Sequence, residues 1–235
     1  MQRKPTIMRL LWKEWQENLW KLVFGLGTSL AFTVMLFRIR LIPDTASCTI
    51  ISLTQLFVIP VVYALDLFSG EMSNRTIHLL FKVPVPRWQI FFSKVLMAFG
   101  SMAVIFVSTG LTMEILSRGR EADAGMLFRM NSLFGLCAGL LLVWFCAFGC
   151  QSRSEAGSLV ALFGVIIGWA IVWLWSGLCE VSWALHFVPF VLPMWAFRPV
   201  AEQMRGNQFL ASQCLAIMLA LTIACYRYVK IRRVL

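Results

Sequence analysis

Residues 66–94 read DLFSGEMSNRTIHLLFKVPVPRWQIFFSK, and the fold turns on whether this stretch crosses a membrane. It lies between two long apolar segments, and 77–92 is apolar enough to pass for a third. Its charges argue against that. Glu71, Arg75, Lys82, Arg87 and Lys94 fall in or beside it, and each charge near a bilayer centre costs roughly 2.5–3.5 kcal/mol on insertion scales. Pro84 and Pro86 would also interrupt any helix running through. The pattern instead predicts a short amphipathic helix, a proline-fixed turn and a membrane helix beginning near Trp88. Such a segment lies at the membrane surface and offers a rigid handle to a partner outside the membrane.

The rest of the chain is dominated by membrane segments. Hydrophobic residues make up 60% of the 235 and charged residues 14%, and the mean hydropathy is +0.78, values outside the range of soluble domains. A net charge of +10 is compatible with nucleic acid binding. The cations stand at the ends of apolar segments rather than on one polar face, however, which assigns them to topology and anionic lipid headgroups and leaves no nucleic-acid partner. The seven cysteines lie almost all in apolar segments, include no CxxC pair and have no histidine beside them to complete a metal site, so they read as small packing residues.

In 1–21, Ile7, Leu10, Leu11, Trp15 and Leu19 recur at helical spacing opposite Arg9, Lys13, Glu17 and Lys21. This predicts a helix lying in the interface, with Trp12, Trp15 and Trp20 at headgroup depth. Spans are then expected over about 19–37, 46–67, 95–116, 132–149, 158–178 and 209–226, with Pro60 kinking the second. Glu114, near the end of the third, is one helical turn from Arg118 and is expected to pair with it. Residues 179–207 are apolar, but Pro189, Pro193 and Pro199 leave no uninterrupted run of the roughly 20 residues a spanning helix needs. A pair of short helices dipping into the outer interface fits that region. Gly135 and Gly139, and again Gly164 and Gly168, stand at GxxxG spacing. Such pairs suit close helix packing or a dimer face. With the N-terminus inside, fourteen of the 21 Lys and Arg fall on the inner side and seven on the outer, which places both termini in the cytoplasm.

The 66–94 loop resembles the first cytoplasmic loop of permease subunits in the type-2 family of ATP-binding-cassette (ABC) exporters. That loop carries a Glu, a polar or basic residue before Thr, a Leu-rich turn, a Pro-Val-Ser-Arg-like tetrad and a Lys at the start of the next helix. Here these are Glu71, Arg75-Thr76, Leu79-Leu80, Pro84-Val85-Pro86-Arg87 and Lys94. Pro86 stands where the family usually has Ser or Thr. It gives up a capping hydroxyl but is tolerated at the first helical position. The resemblance implies one all-α integral membrane permease domain over 1–235, with six transmembrane helices. It further implies an amphipathic elbow helix over 1–21, a cytoplasmic coupling loop over 70–94 and short re-entrant helices over 179–207, between spans five and six. By the same resemblance Glu71, Arg75, Thr76, Leu79, Leu80, Pro84, Pro86, Arg87 and Lys94 couple the loop to an ABC ATPase subunit. The translocation path is then shared with a second copy or a homologous permease, with Gly164 and Gly168 as candidates for the packing face, in a bacterial cytoplasmic (inner) membrane.

The chain carries no GxxxxGK[ST] phosphate loop, so ATP and Mg are expected in the partner ATPase, and no cofactor is expected in this chain. His78 and His186 are its only histidines and stand in no zinc spacing; there is no GxSxG elbow and no intramembrane aspartate pair. An enzyme is disfavoured, and the scattered positions of Asp66, Glu114 and His186 argue against lipid chemistry in particular. The alternative is a non-transporting membrane anchor or immunity protein that recruits a soluble partner through the same loop.

Overall fold

Among the described residues six apolar runs close into six α-helices: α1 (Ile7–Arg38), α2 (Asp44–Ala64), α3 (Arg87–Ser117), α4 (Ala124–Gly149), α5 (Glu155–Leu178) and α6 (Gln203–Lys230). The computed structural model describes residues 7–39, 42–65, 67, 85–118, 124–149, 155–179 and 203–230, and among these there is no strand. Most of the loop around 70–84, Asp66, the 150–154 link and 180–202 of the expected re-entrant region lie outside the described residues. All six helices are long and apolar enough to cross a membrane, because about 20 residues at about 1.5 Å each span a hydrocarbon core of about 30 Å. By that measure the chain is a multi-pass membrane protein.

Prolines set two of the helix starts. Pro43 and Pro86 precede α2 and α3 with extended ψ values of 142° and 133°, and their carbonyls accept the first helical hydrogen bonds. Ser47 N–H reaches Pro43 at 2.9 Å, and Gln89 N–H reaches Pro86 at 2.9 Å. Pro86 therefore sits one position before the first helical residue, where its missing N–H removes no bond. Farther along α2, the helix continues through Pro60 without a break.

Helix α1 also runs unbroken. The segment expected along the interface and the first span are two parts of one 32-residue helix. No proline falls between Ile7 and Arg38, and the first glycine is Gly25, so nothing in the backbone forces a joint near residue 20. At 1.5 Å per residue α1 is about 48 Å long. Trp12, Trp15 and Trp20 are exposed on it.

Helix α4 lies at the centre, packed against α2, α3, α5 and α6, while α1 packs on α3 and α2. Its Leu140, Leu141, Leu142 and Val143 are all buried, the signature of a helix apolar all round. Helix α5 is the opposite case, with only 11% of its span buried against 67% for α4. Close approach of α3 and α4 rests on three glycines that receive phenylalanine rings. A Cβ on Gly110 would meet Phe128 at 2.9 Å, one on Gly135 would meet Phe106 at 3.1 Å, and one on Gly139 would meet Phe99 at 2.8 Å. Gly164 and Gly168 share the GxxxG spacing, yet among the described residues nothing lies within 4 Å of a Cβ on either.

A polar joint fastens α2, α3 and α4 toward the end of the bundle where α2 and α4 begin. Ser52 hydroxyl donates to Asn131 Oδ1 at 3.0 Å, Asn131 Nδ2 donates to the Phe106 carbonyl at 2.7 Å, and Gln55 Nε2 donates to Thr109 Oγ1 at 2.8 Å. The other amide atom of Gln55, Oε1, is buried and has no hydrogen bond among the described residues. Asn131 fell in the segment expected to be an outer loop, but α4 starts at Ala124 and puts Leu127, Met130, Asn131 and Phe134 on one buried face. The expected Glu114–Arg118 pair does not form. Helix α3 ends at Ser117, and Arg118, its C-cap, is exposed beyond the last turn.

Gly135→Ile is expected to lower the stability of the detergent-solubilised chain by about 1–3 kcal/mol through overpacking against Phe106. Gly164→Ile is expected to change it by less than about 0.5 kcal/mol, and thermal unfolding of the two variants side by side checks both.

Candidate functional site

The helix ends flanking the 66–94 loop come together in a collar of side chains. Leu67, just past α2, is buried, as are Tyr63 and Ala64 before it and Ile90 and Phe91 in the first turns of α3. Phe91 packs on the fully buried Tyr228 of α6, ring centroids 5.6 Å apart. Both stubs of the loop are therefore seated in the bundle.

Two guanidinium groups close the collar over helix C-termini. Arg87 Nη1 donates to the Val229 carbonyl in the last turn of α6 at 3.3 Å. Arg227 Nη1 donates to the Ala147 carbonyl near the end of α4 at 2.9 Å, with its guanidinium 5.5 Å from the Phe148 ring centroid. Terminal carbonyls of a helix lack intrahelical partners and carry the negative end of its dipole, so both contacts supply a donor and a charge of the right sign.

Beneath them lies a buried ion pair. Lys94 Nζ sits 3.1 Å from one carboxylate oxygen of Glu14 and 3.2 Å from the other, with the two side chains 5% and 4% exposed. Lys94 is two turns into α3 and Glu14 two turns into α1, so the pair joins the first and third helices at the same end as the collar. These contacts bring the starts of α1 and α3 and the ends of α4 and α6 to one face of the bundle. Cys48 Sγ, 3.7 Å from the Leu127 carbonyl, marks the opposite face, where α2 and α4 begin.

Of the residues assigned to motor coupling, Pro86, Arg87 and Lys94 belong to this collar, whereas Glu71, Arg75, Thr76, Leu79, Leu80 and Pro84 lie outside the described residues. Lys94 is turned inward to Glu14. Gly164 and Gly168 stand apart from the collar on the outer face of α5. Glu14 escaped the sequence reading, although a signal was present: Leu10, Glu14 and Leu22 share one helical face, and an acid on an apolar face needs a cation opposite. Among the described residues no group of three or more His, Cys, Asp or Glu is placed to hold a metal. No protein-family model matches the chain, and no curated protein matches it.

Lys94→Met leaves the Glu14 carboxylate buried without its cation and is expected to cost about 3–5 kcal/mol of stability. The double variant Glu14→Leu/Lys94→Met is expected to regain most of that loss. Equal melting temperatures for the single and double variants would show that the charge pair is not what the bundle depends on.

Proposed function

We propose that this chain is the membrane-spanning permease subunit of an ABC exporter, driven by a separate ATPase subunit that docks on the 70–94 loop. The observation that carries the reading is the bracing of the loop's exit helix. The signature residues Arg87 and Lys94 are tied to α6 and α1, so force applied to the loop would move helices rather than be absorbed in a slack linker. In this reading Glu71, Arg75, Thr76, Leu79 and Leu80 meet the motor, and Pro84 and Pro86 hold the turn. Arg87 and Lys94 pass its motion into the bundle.

In this reading the first turns of α1, continuous with its span and carrying exposed tryptophans, stand in the place of the elbow, and short re-entrant helices in 179–207 shape the outer exit. On the same reading both termini lie in the cytoplasm of a bacterial inner membrane, and the excess of Lys and Arg at the N-terminal face supports that orientation. ATP and Mg bind in the partner. The path itself is shared with a second copy or a homologous permease, and the unfilled Gly164 and Gly168 on α5 suit such a packing face.

Purification of the full chain from its native membrane in mild detergent is expected to bring with it, in about equal amount, a soluble protein carrying a phosphate-binding loop. Glu71→Ala is expected to leave insertion and thermal unfolding unchanged while lowering recovery of that subunit at least about tenfold, the effect of one strong interface contact. Recovery of the chain alone under several detergents would turn the assignment to the anchor or immunity alternative.

A further inference from the structure

Between α1 and α2 a cleft of about 670 Å³ opens on the outside of the bundle, with Ile105 of α3 as part of its floor. Its α1 wall runs from Trp20 to Phe32, a rise of about 18 Å, close to the roughly 15 Å of hydrocarbon in one bilayer leaflet. The wall offers almost nothing polar along that length. Thr28 hydroxyl is spent on its own helix at 2.8 Å to the Phe24 carbonyl, and Thr54 hydroxyl likewise on the Ile50 carbonyl at 2.8 Å. Phe24, Val58 and Val62 supply apolar, exposed surface.

One end differs. Lys21 lines the cleft there, and its Nζ turns back toward the helix start to Asn18 Oδ1 at 3.1 Å, as a lysine does when it carries its charge to the headgroup layer. Trp20 stands beside it, 79% exposed, in the position of an interfacial anchor. A cation and an indole at one end, followed by a leaflet-long apolar channel, form the complement of an acyl chain with an anionic head.

We propose that the α1–α2 cleft is a binding site for one anionic phospholipid, its phosphate at Lys21 and one acyl chain along Phe24, Val58 and Val62. Lys21 at one end of an otherwise apolar groove argues for an anionic lipid rather than a helix of a second copy as occupant. A volume of several hundred Å³ suits a single small amphiphile. The inference does not depend on the permease reading.

The test uses the purified chain in lipid nanodiscs with phosphatidylglycerol that carries a photoactivatable diazirine on one acyl chain, and adducts mapped by mass spectrometry. Adducts are expected to concentrate on peptides covering 20–32 and 54–63, and excess unlabelled phosphatidylglycerol is expected to suppress them more strongly than equal phosphatidylethanolamine. Lys21→Gln is expected to lower them about fivefold, the order expected for one cation at a charged membrane surface, and Val58→Trp to lower them by filling the channel. Both positions lie outside the packed core, and the wild-type competition decides the matter even where a variant folds poorly. Adducts spread evenly over α1 and the exposed face of α5 would overturn the proposal. So would equal competition by the two lipids, suppression by glycerol phosphate without a chain, or cross-links joining two copies at the cleft.

Discussion

The Glu14–Lys94 pair is the contact on which the arrangement of this bundle rests. Burying either charge alone is costly, while together, at 3.1 and 3.2 Å, each supplies what the other lacks. Because the ammonium reaches both carboxylate oxygens, the pair also fixes how far α1 is shifted along α3. The two helices run in the same direction. Eleven residues beyond the pair on each, a Cβ on Gly25 would touch Ile105 at 3.0 Å. The same register thus holds three turns farther on, and the packing of α1 follows from where the charges meet.

The other end of the bundle is secured by neutral groups. Asn131 bridges Ser52 and the Phe106 carbonyl, and Gln55 reaches Thr109, so α2, α3 and α4 are held by hydrogen bonds that have no competing water at this depth. Between the ionic joint and the amide joint, glycines and phenylalanines let α3 and α4 approach closely. Helix α5 takes part in none of these fastenings. It is held chiefly by apolar contact with α4, which makes it the element most readily shared with something outside the chain.

The helices were legible because a bilayer demands a minimum run of apolar residues, and six such runs stand in the sequence. The start of α3 was legible because Pro84 and Pro86 disfavour helix before them. Partners distant in sequence were not. Glu14 and Lys94 are eighty residues apart, and local periodicity shows only that one face of α1 carries an acid. Charged neighbours hid the first turns of α4, although Leu127, Met130, Asn131 and Phe134 keep the spacing of a buried face. The two GxxxG pairs look alike on paper. What separates them is what lies opposite: Phe106 and Phe99 in one case, open space in the other. Of the loop assigned to coupling, only its exit, Pro86, Arg87 and Lys94, lies among the described residues, and there the charges read as handles turn into the bundle.

The same pair bears on how the chain is made. Glu14 leaves the ribosome long before Lys94 exists, and at about 5–20 residues per second the interval is about 4–16 s. During that time the start of α1 carries a carboxylate on the face it must later bury, so its seat at that end of the bundle is incomplete until the third helix arrives. The seat of α1 is therefore completed out of the order of synthesis, since it packs more extensively on α3 than on α2, its neighbour in sequence. A chain truncated before Lys94 presents an unneutralised acid at the membrane surface, a mark by which quality control can tell an unfinished product from a finished one.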